Sequence, residues 1–143
     1  MKKVLLIITL CAGIVACSGG KTASPADNQQ TKNDMVEVLY FHGSQRCATC
    51  MAIEKNTKEL IEAAFTESAG SGRLAFRTVD ITKERSLAKK FEVSWSSLII
   101  VDYDKSGNES AKNLTEFAFS NARNAPDKFK AGLSEQITEM LNN

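Results

Sequence analysis

Val36-Glu37-Val38-Leu39-Tyr40-Phe41-His42-Gly43-Ser44-Gln45-Arg46-Cys47-Ala48-Thr49-Cys50 is the stretch that decides the fold. Its first six residues are a β-rich run closed by His42-Gly43, which predicts a first core strand. From Cys47 to residue 68 the period changes. Cys50, Ile53, Leu60, Ile61, Ala64 and Phe65 recur at three-to-four spacing, with Glu54, Lys55, Lys58, Glu59 and Glu62 off that face, the pattern of an amphipathic helix. Gly70-Ser71-Gly72 stops it. The pair Cys47 and Cys50 therefore falls where a strand hands over to a helix.

Two cysteines three apart on a first helical turn bring their sulfurs together. The first of them sits where unpaired backbone N–H groups and the helix dipole favour negative charge. That lowers the pKa of the Cys47 thiol and makes it the attacking thiolate. Cys50, one turn further and on the apolar face, is the resolving cysteine. Attack by Cys47 on a partner disulfide, a mixed disulfide and release by Cys50 is the expected chemistry. Other uses of the pair stay open. A zinc site needs about four ligands, and the domain offers two cysteines and His42. A structural disulfide would close too short a loop to constrain much of the unfolded chain. Capture of Cu(I) or As(III) by the dithiol, with His42 nearby, is the main alternative.

Downstream, Leu74-Ala75-Phe76-Arg77-Thr78-Val79-Asp80 alternates as a strand, and Thr82 is placed to cap a shorter helix carrying Leu87, Ala88 and Phe91 inward. Leu98-Ile99-Ile100-Val101 is a continuous apolar run, suited to a central strand covered on both faces. Asp104-Lys105-Ser106-Gly107 makes a turn, and a polar run then leads into Leu114-Thr115-Glu116-Phe117-Ala118-Phe119, expected to be the second strand of a hairpin. Pro126 opens a last helix with Phe129, Leu133, Ile137, Met140 and Leu141 on one face. The order β-α-β-α-β-β-α implies an α/β domain, parallel in its first half with an antiparallel addition.

The chain has 143 residues, 43% hydrophobic and 24% charged, enough for one domain with its own core. A formal net charge of +1 gives no electrostatic case for nucleic acid. The N-terminus reads as a targeting segment. Lys2-Lys3 precede an apolar run over residues 4–15, shorter than the ~20 residues that span a bilayer. Ile14-Val15-Ala16-Cys17 resembles the lipobox of bacterial lipoproteins. The resemblance implies cleavage before Cys17 and lipidation of Cys17, with acyl chains that each add about 0.8 kcal/mol per buried CH₂ to a membrane anchor. The expected organisation is thus a signal peptide over 1–16, a flexible tether over 17–34 that is nearly devoid of apolar residues, and a monomeric domain over 35–143. Cys11 is filler of the apolar run. The expected location is the cell envelope, lipid-anchored and facing the periplasm.

Leu39-Tyr40-Phe41-His42-Gly43 followed by Cys47-Ala48-Thr49-Cys50 resembles the active-site strand and redox loop of the thioredoxin superfamily. Val79-Asp80-Ile81 with Leu87-Ala88-Lys89-Lys90-Phe91-Glu92-Val93 resembles its second strand and following helix, and Ser96-Ser97-Leu98-Ile99-Ile100 its partner-binding loop and central strand. The resemblance covers residues 36–143 and implies a thioredoxin-like fold, a mixed four-stranded sheet with flanking helices. More narrowly, His42-Gly43 and Arg46-Cys47-Ala48-Thr49-Cys50 with Trp95-Ser96-Ser97 resemble the exported family labelled nitrophenyl compound nitroreductase subunit ArsF. That resemblance implies an electron-transfer subunit beside a protein redox partner or reductase subunit. No flavin or nicotinamide motif is present and no metal site is expected, so the redox-active disulfide Cys47–Cys50 stands in place of a cofactor.

The sequence departs from thioredoxins in three places. Ser97 stands where they carry a cis-proline, and because a cis bond before a non-proline residue costs about 2.5–4 kcal/mol, a trans segment over residues 95–98 is expected. Ala48-Thr49 replaces Gly-Pro. The buried strand acid has no clear counterpart, and Glu37 could face either way. Arg46, Trp95, Ser96 and Ser97 are the candidate partner-binding residues. Arg46 also brings a permanent charge to Cys47, and His42 is a candidate modulator of the thiolate.

Overall fold

The computed structural model describes residues 32–143. The leader, most of the tether, Cys11 and Cys17 lie outside the described residues. The elements run in the order β1 (Met35–His42), α1 (Ala48–Ala64), α2 (Thr66–Gly70), β2 (Leu74–Asp80), α3 (Arg85–Lys90), β3 (Ser97–Tyr103), β4 (Glu109–Asn113), α4 (Thr115–Asn121) and α5 (Pro126–Leu141). The sheet order is β2-β1-β3-β4, with β1 parallel to β2 and antiparallel to β3, and β3 antiparallel to β4. This is the expected α/β class: a parallel βαβ unit extended by a hairpin.

Because β1 and β3 lie inside the sheet, both of their faces are covered and their residues read as near-continuous apolar runs. Val36, Val38 and Tyr40 face a core shared with Cys50, Ile53, Leu60, Ile61, Phe129, Leu133 and Ile137 of α1 and α5. Leu39 and Phe41 point the other way, onto Val79, Val93, Ile99 and Val101, under the shorter α3. Each large apolar side chain so buried contributes about 1.5–3 kcal/mol. Gly132 in α5 has a packing reason: a Cβ there would come within 2.5 Å of the Phe117 ring, which stacks on Phe129 with centroids 5.9 Å apart.

The structure corrects the hairpin. Its second strand is the polar run Glu109–Asn113, exposed throughout, and the segment from Leu114 to Phe119 turns helical. Leu114, Ala118 and Ala122 are buried, and the N–H groups of Ala118 and Ala122 donate to the Leu114 and Ala118 carbonyls at 2.9 and 2.8 Å, the four-residue ladder of a helix. The helix is entered through Asn113, whose side-chain oxygen accepts from the Thr115 N–H at 2.9 Å, while the Thr115 hydroxyl accepts from the Leu98 N–H at 3.1 Å. The hairpin turn forms at Asp104, whose carboxylate accepts from the N–H groups of Ser106 and Asn108 at 2.8 and 2.9 Å. Gly107 there adopts φ +81°, open to glycine without a Cβ penalty.

Three smaller points also differ. Thr82 does not cap α3; its N–H and hydroxyl both donate to the Asp80 carboxylate, and the helix starts at Arg85. Ala64 is exposed, because the first helix breaks at Phe65 and restarts as α2. The inner face of α1 includes two polar residues, Asn56 and Thr57; the Asn56 amide donates to the Ala122 carbonyl at 2.8 Å and ties α1 to the end of α4. Among the described residues every peptide bond is trans, as expected for residues 95–98.

Candidate functional site

The site gathers at one end of the sheet. β1 ends there at His42. The register Phe41↔Ser97 starts β3 at the same end, and Asn113↔Ile99 finishes β4 there. The segments holding Arg46-Cys47, Trp95-Ser96 and the entry to α4 are thereby brought together.

Cys47 is the N-cap of α1, with extended backbone at φ −78° and ψ 165°. Its sulfur accepts the Cys50 N–H at 3.0 Å, taking the capping role that a serine or aspartate oxygen usually fills. The two cysteines are joined by a disulfide, with their Cα atoms 4.9 Å apart. They differ sharply in access: Cys47 is exposed, whereas Cys50 is 5% exposed and packs in the core. The first turn of α1 carries no acidic residue, so no carboxylate there opposes a negative charge on Cys47. An exposed sulfur at a helix N-terminus, linked to a buried one a turn further, is the geometry thiol–disulfide exchange requires.

The other candidates divide. Arg46 does not simply lie beside Cys47: it forms an ion pair with Glu54, and its guanidinium stands 5.7 Å from the Tyr40 ring centroid. Tyr40 is wholly buried and its hydroxyl makes no hydrogen bond. Burial holds this phenol above its ordinary pKa, while the nearby Ser96 hydroxyl and Arg46 guanidinium pull it partly back. His42 is half-buried, its Nδ1 3.1 Å from the Gly43 carbonyl, to which it donates in that tautomer, and its ring 6.3 Å from that of Tyr40. Trp95 is 56% exposed and leans on Phe119, with centroids 5.2 Å apart; the two rings line a shallow groove with Asn113, Thr115 and Glu116. Ser96 is half-buried. Ser97 is buried, and its hydroxyl donates to the Trp95 carbonyl at 3.1 Å, so its side chain shapes the loop.

Glu37 faces away from the dithiol. It is buried on the opposite side of the sheet, paired with Lys32 and approached by Arg77 at 3.8 Å. Glu54, Phe119 and the exposed Met51 belong to this end of the molecule without having been singled out from the sequence. Glu54, an acid off the apolar face of the helix, read as solvated surface. Phe119 was hidden by its assignment to a strand. Among the described residues, no group of three or more histidine, cysteine, aspartate or glutamate side chains is placed to hold a metal ion.

No protein-family model matches the sequence, and neither does any curated protein. Solved structures do match in fold. The Trx4 domain of ERdj5 superposes with a TM-score of 0.51 at 14% identity, over 76% of this chain and 81% of that one. Fasciola hepatica thioredoxin superposes with a TM-score of 0.50 at 19% identity, over 76% and 83%. The fold is thioredoxin-like, and the redox-capable group among its described residues is the Cys47–Cys50 disulfide itself.

Proposed function

We propose that this chain is a membrane-tethered thiol–disulfide redox protein whose working group is Cys47–Cys50. The observation that carries the reading is the asymmetry of the pair: an exposed, N-capping Cys47 bonded to a buried Cys50. In the reduced form the Cys47 thiolate attacks one sulfur of a partner disulfide, forming a mixed disulfide and releasing the partner's first thiolate. Cys50, losing its proton to solvent, then attacks the Cys47 sulfur. The Cys47–Cys50 bond forms, the partner's second thiolate leaves, and two electrons have passed to the partner. The reverse sequence, begun by a partner thiolate at the exposed Cys47 sulfur, reduces the domain.

The partner is a protein or reductase subunit, docking over Trp95 and Ser96, with Arg46 at the rim and the buried Ser97 holding the loop in shape. The exposed indole supports this, being a large rigid apolar surface at the dithiol end of the sheet. The resemblance to the ArsF family supports a place as electron-transfer subunit of a nitroaromatic or arsenic-related reductase system. The lipobox-like Ile14-Val15-Ala16-Cys17 supports a lipid anchor on Cys17 in the cell envelope, with the domain facing the periplasm.

Equilibrating the full chain with glutathione redox buffers tests the chemistry. A reversible two-electron transition, lost in Cys47→Ser, is expected; no transition across the accessible range would contradict it. Mass spectrometry of the protein from its native membrane tests the anchor, with a lipid-modified Cys17 as the expected N-terminus and an unmodified one as the contrary result.

A further inference from the structure

Arg46 precedes Cys47 in the chain, yet its guanidinium is engaged by Glu54 and by the Tyr40 ring. Among the described residues the carboxylate that meets it is that of Glu54. Glu54 stands four residues after Cys50 and seven after Cys47, so it shares the helix row that carries the dithiol. Long helical side chains lean toward the N-terminus, which directs this carboxylate back to the end where Cys47 caps the helix. Arg46 reaches along the helix to meet it and lies over the Tyr40 ring. Both side chains remain about one-third exposed, at 30% and 31%.

We infer that Glu54 is a positioning residue which holds the Arg46 guanidinium back from Cys47 and so restrains the reactivity of the attacking thiolate. This rests on the redox reading above. An unpaired guanidinium next to Cys47 would stabilise its thiolate, and an unpaired carboxylate would oppose it; paired, the two offset each other in part. The helix N-terminus then supplies most of the stabilisation. Most of the other titratable and charged groups on elements packed around this end are engaged by other partners. On α1 itself Lys55 and Lys58 pair with Glu59 and Glu62, and Lys130 of α5 binds Glu59 at 2.7 Å. Asp80 at the end of β2 is held by Thr82, and His42 meets the Gly43 carbonyl. Glu116 of α4 lines the groove beside Trp95.

The test is a double-mutant cycle on the reduced full-length chain, read from the pH profile of Cys47 alkylation with the Cys47 and Cys50 peptides resolved by mass. Glu54→Gln is expected to lower the Cys47 midpoint by about half a pH unit, the size fitting a partly exposed cation. In the Arg46→Met background the same change is expected to have less than half that effect. An equal shift in both backgrounds would mean that Glu54 acts by its own charge, and overturns the inference. So does no shift, or a rise, in the otherwise native chain. The redox reading fails separately, if native Cys47 titrates no lower than an ordinary thiol near pH 8.5. Neither side chain is buried, so both variants are expected to fold, which thermal unfolding verifies.

Discussion

On β1, Glu37 and Tyr40 are both shut away from solvent, three residues apart and on opposite faces of the sheet. The carboxylate lies on the α3 side, where Lys32 and Arg77 supply compensating charge and Lys32 also stands 5.1 Å from the Tyr103 ring. The phenol lies on the dithiol side with its hydroxyl unbonded, beneath the Arg46–Glu54 pair. The dithiol side is also the thicker one, covered by the two long helices α1 and α5, while the other carries the six-residue α3. A buried charge is tolerable where partners at the rim can reach it. The face behind Cys50 buries no charged side chain among the described residues and keeps its ions at the edge. The buried thiol thus sits in apolar surroundings and the exposed one at a helix N-terminus, an arrangement that drives their reactivities apart.

That contrast breaks most visibly under core truncation. Phe129→Ala on the dithiol side is expected to cost about 3–5 kcal/mol, because a full aromatic is lost between rigid helices. Leu87→Ala, on the half-covered outer side, is expected to cost about 1 kcal/mol. Urea unfolding measures both, and equal costs would erase the distinction between thick and thin faces. The two buried polar groups are expected to differ next. Glu37→Gln removes a charge that two cations meet and should cost about 1–3 kcal/mol. Tyr40→Phe deletes an unbonded hydroxyl and should be neutral or slightly stabilising at pH 7.

Alkaline titration sharpens the same pair. Burial raises the pKa of Tyr40, and burial together with Glu37 and Glu109 raises that of Tyr103 on the other face. A raised folded pKa contributes stability that is fully present below the unfolded value of 10.0 and lost as pH rises through the folded one. Stability is therefore expected to fall above pH 10, less steeply in Tyr40→Phe; an unchanged slope in that variant would contradict the assignment. The smallest effect belongs to the thin face. Glu92 closes α3 at φ 54°, with the Val93 N–H bonded to the Ala88 carbonyl at 2.8 Å, the helix ending that glycine usually fills. Glu92→Gly is expected to add roughly 0.5 kcal/mol, readable as a small rise in Tm.

Where side-chain period and burial agreed, the sequence was legible. The runs of β1 and β3 are apolar because both their faces are covered, and the change of period at Cys47 marks the helix start. The edge strand β4 escaped because an edge with no covered face has no pattern: Glu109, Ser110, Ala111, Lys112 and Asn113 are all exposed. Its neighbour misled for the opposite reason, since Leu114, Phe117 and Phe119 have strand-like composition while Thr115 and Ala118 carry the helical contacts. The two cysteines could be placed from spacing alone. The Arg46–Glu54 pair could not, because an acid off the apolar face reads as solvated surface until a partner eight residues away is seen to reach it. Nor could the direction of Glu37 be chosen before the register of β1 was known.

The separation of roles between the exposed and the buried sulfur is tested most directly by mixing the reduced protein with a small aromatic disulfide and following adducts by mass. Cys50→Ser is expected to accumulate a stable mixed disulfide on Cys47, while Cys47→Ser stays largely unmodified and the native chain closes to Cys47–Cys50. Faster adduct formation on Cys50 in the Cys47→Ser protein than on Cys47 in the Cys50→Ser protein would contradict the assignment of Cys47 as the attacking thiolate.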